Sequence, residues 1–322
     1  MAAHSPSGAD GCFSRRCLKR PLRPCHGRGL GYNVGPRECL LAKVGHVRVL
    51  FHCHLWPGGL KQEGSRGPAP GTAEHLASFA SQSGFELAVA FAPFDAEKVH
   101  AMSRALPGQD PIRWLVDEIR PHSNILGFAT IDLNAPDACA QLEQALKLGL
   151  RGIKLHPLIC QLDITDRRHD PFYELAEEHS LPVIVHCGHG RWPWPVRYAS
   201  PLLVEDVACR FPKLPFIIAH CGGAGFFRET MLALQSAPNC YADLALVFGR
   251  GAGWFVPEEE LLALVDMGLA RKLIYGLDYP WGVSEQVRAD LDTIERWPLE
   301  DEVRAGILGG TIASLMRLNC RE

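Results

Sequence analysis

From Val47 onward the chain repeats one unit eight times: a short run of β-branched and aromatic residues, then a longer stretch carrying Ala, Leu, Glu and Arg. The runs are VRVLFHCH (47–54), FELAVAFAPF (85–94), ILGFATID (125–132), GIKLHP (152–157), PVIVHCG (182–188), PFIIAHCG (215–222), CYADLAL (240–246) and KLIYGLDYP (272–280). Between them lies room for helices, as in DACAQLEQALKLG before the fourth run and DPFYELAEEHSL before the fifth. Strand–helix alternation demands a parallel sheet, because only a crossover returns the chain to the same edge in the same direction. Eight units of about 30 residues close into a (β/α)8 barrel rather than an open sheet, and 322 residues is close to the length one barrel needs. No G-x-G-x-x-G follows a strand, which argues against a dinucleotide-binding fold.

Residues 1–46 differ in kind. They hold eight Lys and Arg against Asp10 and Glu38, so they carry +6 while the remainder carries −9 of the formal net −3. Rich in Gly, Pro and Arg and without a helical or strand period, they are expected to be an irregular basic extension, with the barrel over 47–322. Cys12, Cys17, Cys25 and His26 match no compact zinc module. The Arg-rich, acid-poor composition also has the character of an organelle transit peptide, although an irregular arm is the plainer reading. The twelve cysteines are scattered, several inside apolar runs such as VIVHCG, which fits reduced thiols in a cytoplasmic protein better than a disulfide framework. With 47% hydrophobic and 21% charged residues and no apolar run of ~18, a substantial core and no membrane span are expected.

The unusual residues stand at the C-terminal ends of the strands, where such barrels build their active sites. His52 and His54 end the first, Lys154 and His156 the fourth, His186 the fifth, His220 the sixth and Asp278 the eighth. Side chains two apart on a strand share a face, so His52 and His54 point together into the barrel mouth, as do Lys154 and His156. Cys53, Cys187 and Cys221 have the opposite parity and are expected to fill the layer between strands and helices. A single strand histidine is usually a hydrogen-bonded core residue, but a series of strands ending in His or Asp is not explained that way. Imidazoles with one carboxylate suit a divalent ion of the zinc or manganese kind with a position open for water, and the ion accounts for an acidic residue in an apolar strand. In the loops beyond the strands, His189, Arg191, Trp192, Trp194, Arg197, Tyr198, Arg250, Trp281 and Trp56 lie near the mouth. Of these, Arg191, Trp192, Arg250 and Trp281 are the candidates for holding a planar, carboxylated ligand.

The ordered series F-H-C-H (51–54), G-I-K-L-H-P (152–157), V-H-C-G (185–188), A-H-C-G-G (219–223) and Y-G-L-D-Y-P (275–280) resembles the amidohydrolase superfamily. More closely it looks like the amidohydrolase-2 branch of metal-dependent barrels, which also contains amino-carboxymuconate-semialdehyde and resorcylate-type decarboxylases. The likeness runs from about residue 47 to ILGGTIASLMRL (307–318). It implies that His52, His54, His186 and Asp278 bind the metal, zinc foremost with manganese as the alternative. It also implies that His220 polarises the substrate or moves a proton, and that Asp278 serves catalysis as well as ligation. Members often carry Asp two residues before the first His, where this chain has Leu50, and close on G-N-A where it has Gly310-Thr311-Ile312. Lys154, beside His156, is compatible with a carbamate bridging a second metal, as in some branches, or with a charged amine facing an acid or a substrate carboxylate.

The expected activity is hydrolysis of a C–N or C–O bond, amide or lactone, in a small carboxylated molecule through metal-activated water. The near alternative is non-oxidative decarboxylation of an aromatic or unsaturated acid by the same ligands, and the distant one a metal-binding barrel without turnover. No nucleic-acid or membrane partner is expected; a homo-oligomer is left open.

Overall fold

The computed structural model describes residues 47–60, 69–93, 109–190, 195–249, 253–281 and 284–318. The basic leader of residues 1–46 lies outside them, as do Arg191, Trp192, Trp194 and Arg250.

All eight strands are present, shorter than the apolar runs that announce them. They are β1 (Val49–His54), β2 (Leu87–Phe91), β3 (Ile125–Thr130), β4 (Ile153–Leu155), β5 (Val183–Val185), β6 (Phe216–Ile218), β7 (Cys240–Asp243) and an eighth in two pieces, β8 (Leu273–Ile274) and β9 (Gly276–Tyr279). Every neighbouring pair is parallel; β8 pairs with β7 and β9 with β1, so the ring of ladders closes. The break falls at Tyr275, whose N–H leaves the ladder and donates to the carbonyl of Ile307 at 2.7 Å.

The helices begin where capping residues put them. Thr72 accepts the N–H of His75 at the start of Ala73–Gln82, Asp110 that of Ile112 ahead of Pro111–Ile119, and Ser200 that of Leu202 ahead of Pro201–Arg210. Their apolar stripes, with Leu76, Leu115, Leu142, Val204 and Leu261, pack on the outer face of the strands, each buried side chain contributing about 1.5–3 kcal/mol. A second apolar cluster fills the barrel interior: Val49, Phe51, Val89, Phe91, Phe128, Ile184 and Ile217, joined by Ile312 and Met316 at the end of the chain. Cys53, Cys187 and Cys221 lie in the outer layer, as expected. Among the described residues, no helix is long and apolar enough to cross a membrane.

Behind the break in the eighth strand, buried Asp290 accepts hydrogen bonds from the Tyr275 hydroxyl at 3.2 Å and from the Gln286 amide. Burial is the dominant influence on this carboxyl and pushes its pKa up to about 7, against the two hydrogen bonds. A carboxyl whose folded pKa is raised binds its proton more tightly in the native state. Its favourable contribution is therefore complete below about pH 4 and is lost as the pH rises toward 7. Asp290→Asn removes that dependence. Chemical denaturation should show the variant gaining on wild type between pH 5 and pH 8 by ~2.5 kcal/mol; a difference that does not change with pH would show that Asp290 is already ionised in the fold.

Candidate metal centre

At the barrel mouth His52, His54 and Asp278 converge. The Oδ1 atom of Asp278 stands 3.5 Å from Nε2 of His52 and 3.4 Å from Nε2 of His54. In a tetrahedral shell with bonds of about 2.1 Å, neighbouring donor atoms are ~3.4 Å apart, so each imidazole nitrogen stands from the carboxylate at the spacing of two ligands on one ion, and the three residues' donor atoms lie within 4.8 Å of one another.

The backbone route to this arrangement is not the plain alternation expected of a strand. Val49 and Phe51 point into the barrel and Leu50 outward, which would send His52 outward as well. Instead His52 adopts φ 60°, and the ladder slips, three steps on β1 from Leu50 to Cys53 answering two on β2 from Ala88 to Ala90. This bulge turns His52 inward and resets the parity, leaving Cys53 out and His54 in. His220 has φ 57° and Asp278 φ 62°, so three of the site residues occupy the sparsely populated left-handed region. Gly276 leaves the space His52 needs: a Cβ there would lie 3.1 Å from the Cβ of His52. On β4 and β5 the alternation is regular and delivers Lys154, His156 and His186 as expected.

One carboxylate that sequence reasoning left without a role organises the cluster. Asp243, at the end of β7 and wholly buried, accepts from Nδ1 of His52 at 2.7 Å through Oδ2. Its Oδ1 accepts the backbone N–H of His220 at 2.7 Å and that of Ala245 at 3.1 Å. With its proton fixed on Nδ1, His52 presents a lone pair at Nε2, the usual way a carboxylate behind an imidazole prepares it for a metal. His52, His220 and Asp243 also form a group with metal-binding atoms close together, but both oxygens of Asp243 are already spent on these three donors. The inward parity of Asp243 within the apolar run CYADLAL is the signal that would have found it.

Nδ1 of His220 donates to the carbonyl of Ala245 at 3.0 Å, leaving Nε2 as the acceptor nitrogen. Of the two roles expected for His220, moving a proton fits this tautomer; polarising a substrate through an Nε2–H does not. His186 joins neither group of clustered donor atoms among the described residues. Its ring lies stacked on that of His156, centroids 3.8 Å apart, and edge-on to His220 at 5.2 Å. Lys154, fully buried, sets Nζ 3.4 Å from Nε2 of His52 and 5.3 Å above the Phe91 ring.

Burial lowers the basicity of His52 and His54, more strongly that of His156 and His186, and brings His220 down to about 4. Burial also brings Lys154 down to about 8, with Asp243 and Asp278 resisting. For Asp278 burial acts upward, but the His54 hydrogen bond and the neighbouring imidazoles outweigh it and hold the carboxyl below the usual range; His52 does the same for Asp243. Near neutral pH the site therefore offers two carboxylates, neutral imidazoles with lone pairs and one ammonium, a donor set suited to a divalent cation.

Of the loop candidates, Trp281 is 49% exposed at the mouth and meets Trp56 edge to face at 6.2 Å. Arg197 lies over the ring of Tyr198 and bonds its hydroxyl at 2.8 Å, so these two engage each other.

The model of the amidohydrolase family matches residues 49–318. A 2-amino-3-carboxymuconate-6-semialdehyde decarboxylase of Dictyostelium discoideum is 26% identical over 202 residues, 54% of this chain and 55% of that protein. The chain spans about half the length of the curated relatives it matches. Among solved structures, an uncharacterised TIM-barrel protein, Bb4693 of Bordetella bronchiseptica, superposes with a TM-score of 0.67 at 19% identity, covering 85% of this chain and 99% of the other. A 2,6-dihydroxybenzoate decarboxylase bound to 2,6-dihydroxybenzoate does so with 0.63 at 15% identity and the same coverage.

Proposed function

The chain belongs to the amidohydrolase family, and on that premise we propose that it is a metal-dependent hydrolase that opens an amide or lactone in a small carboxylated molecule. The observation that carries the reading is the ionised Asp278 oxygen held at ligand spacing from the Nε2 atoms of two imidazoles. His52, His54 and Asp278 would hold the ion, with His186 as the fourth ligand; zinc suits the set best, with manganese next. When bound, the ion supplies a Lewis acid that lowers the pKa of coordinated water from 15.7 toward ~7.

The chain's own residues do the rest. Asp278 orients the water and His220, through Nε2, takes up and returns the proton. Lys154 brings a buried positive charge to the substrate's anion, and His156 lines the same wall. Trp281, Arg191, Trp192 and Arg250 are the proposed outer contacts for a planar acid.

A second reading, non-oxidative decarboxylation of an aromatic or unsaturated acid on the same ligands, is favoured by the activities named for two of the similar proteins. Water addition needs proton acceptors, which the buried neutral imidazoles supply, whereas decarboxylation needs an acid to deliver a proton to carbon, a part open to the Lys154 ammonium. Offering lactones, amides, hydroxybenzoates and unsaturated acids to the metal-loaded protein separates the two. Ring opening or amide cleavage with no CO2 is expected; CO2 release that leaves lactones and amides intact transfers the enzyme to the lyases.

A further inference from the structure

Trp254 belongs to neither hydrophobic cluster, yet it is surrounded by imidazoles. Its indole stacks on His220 with ring centroids 4.2 Å apart at 29°, lies 4.0 Å from the ring of His189 at 44°, and meets His186 edge-on at 5.3 Å. The backbone around it is shaped to admit it. Gly188 and Gly223 have φ 111° and 61°; a Cβ on Gly188 would run into the indole, and one on Gly223 would lie 3.0 Å from it. A Cβ on Gly253, the residue before the tryptophan, would sit 2.7 Å from the His189 ring.

We propose that Trp254 is a positioning residue for His220: the indole holds the imidazole in the orientation that aims Nε2 at the reacting atoms. The imidazole is bounded by the indole and by the ring of His52, 4.7 Å away at 40°, and its Nδ1 is tied to the Ala245 carbonyl. A histidine on a left-handed backbone keeps such a ring position only when its surroundings over-determine it, and the indole is the largest of those surroundings. The inference rests on the reading of His220 as the residue that moves the proton.

The test uses the full chain with 15N-labelled histidine and the variants W254A and W254F. In W254A the His220 ring resonances should shift, through loss of the indole ring current, and broaden; W254F should restore them in part. On the substrate panel, W254A should lose ~10- to 100-fold in kcat with little change in KM and unchanged metal content, and W254F should recover most of the loss. Unchanged His220 resonances in W254A overturn the proposal whatever the enzyme turns over, and so does altered resonance with unchanged kcat. A wild-type protein inert on every substrate sinks the proposed reaction instead and leaves the resonances to decide the role of Trp254. Should W254A fail to fold, W254F decides, since its smaller ring must move the same signals in the same sense.

Discussion

His52→Ala is expected to purify without the divalent ion and without activity, while His220→Asn keeps the ion and loses rate by ~10²–10⁴. The two histidines stand side by side, ring centroids 4.7 Å apart, but their hydrogen bonds separate their roles. His52 is braced by Asp243 with Nε2 turned toward His54 and Asp278, whereas His220 is tied by its backbone to Asp243 and by its ring to Ala245. Asp278→Asn keeps the volume and one weak oxygen donor but loses the charge, so turnover should collapse while part of the metal remains. Metal per folded chain and turnover, measured on all three variants, decide the ordering. His52→Ala also leaves the buried Asp243 with backbone donors alone, at a cost of about 1–3 kcal/mol, so metal content is read only on protein shown to be folded by circular dichroism. If His220→Asn loses the ion as completely as His52→Ala, His220 is a ligand and the one-centre assignment fails.

That ordering draws on features of unequal legibility. The barrel could be read because eight apolar runs at near-regular spacing leave few alternatives, and the outward Cys187 followed from the regular alternation of β5. The pairing of His52 with His54 was reached by the right rule on the wrong backbone: alternation is broken at His52, and the bulge there restores it one residue late. Nothing in FHCH announces a bulge, since histidine at φ 60° is held by Asp243 and by the room at Gly276, both distant in sequence. Asp243 was within reach, being an acidic side chain at inward parity in an apolar strand. Trp254 was not, because it comes from a loop, where no periodicity links sequence to direction; only the glycines around it hint at close backbone approach.

Asp243→Asn should lose the metal nearly as fully as His52→Ala while the fold survives. The backbone N–H groups of His220 and Ala245 both point at Oδ1 and would otherwise be buried without a partner, so they compel the amide oxygen of the asparagine into that place. The amide nitrogen then takes the position of Oδ2, 2.7 Å from Nδ1 of His52, and donates where the carboxylate accepted. Two donors cannot share that contact. The His52 proton must move to Nε2, which removes the lone pair aimed at the ion. Loss of such a supporting carboxylate commonly costs 10–100-fold in metal affinity, and an enforced tautomer change belongs at the upper end of that range or beyond it. Competition with a chelator measures the affinity, and 15N chemical shifts of His52 report directly which nitrogen carries the proton. Asp243→Ala serves as the contrast, since it strands both backbone donors and should lower the melting temperature as well. An Asp243→Asn protein that binds the ion with wild-type affinity would mean that His52 does not ligate through Nε2, and the centre would then have to be rebuilt around the other imidazoles.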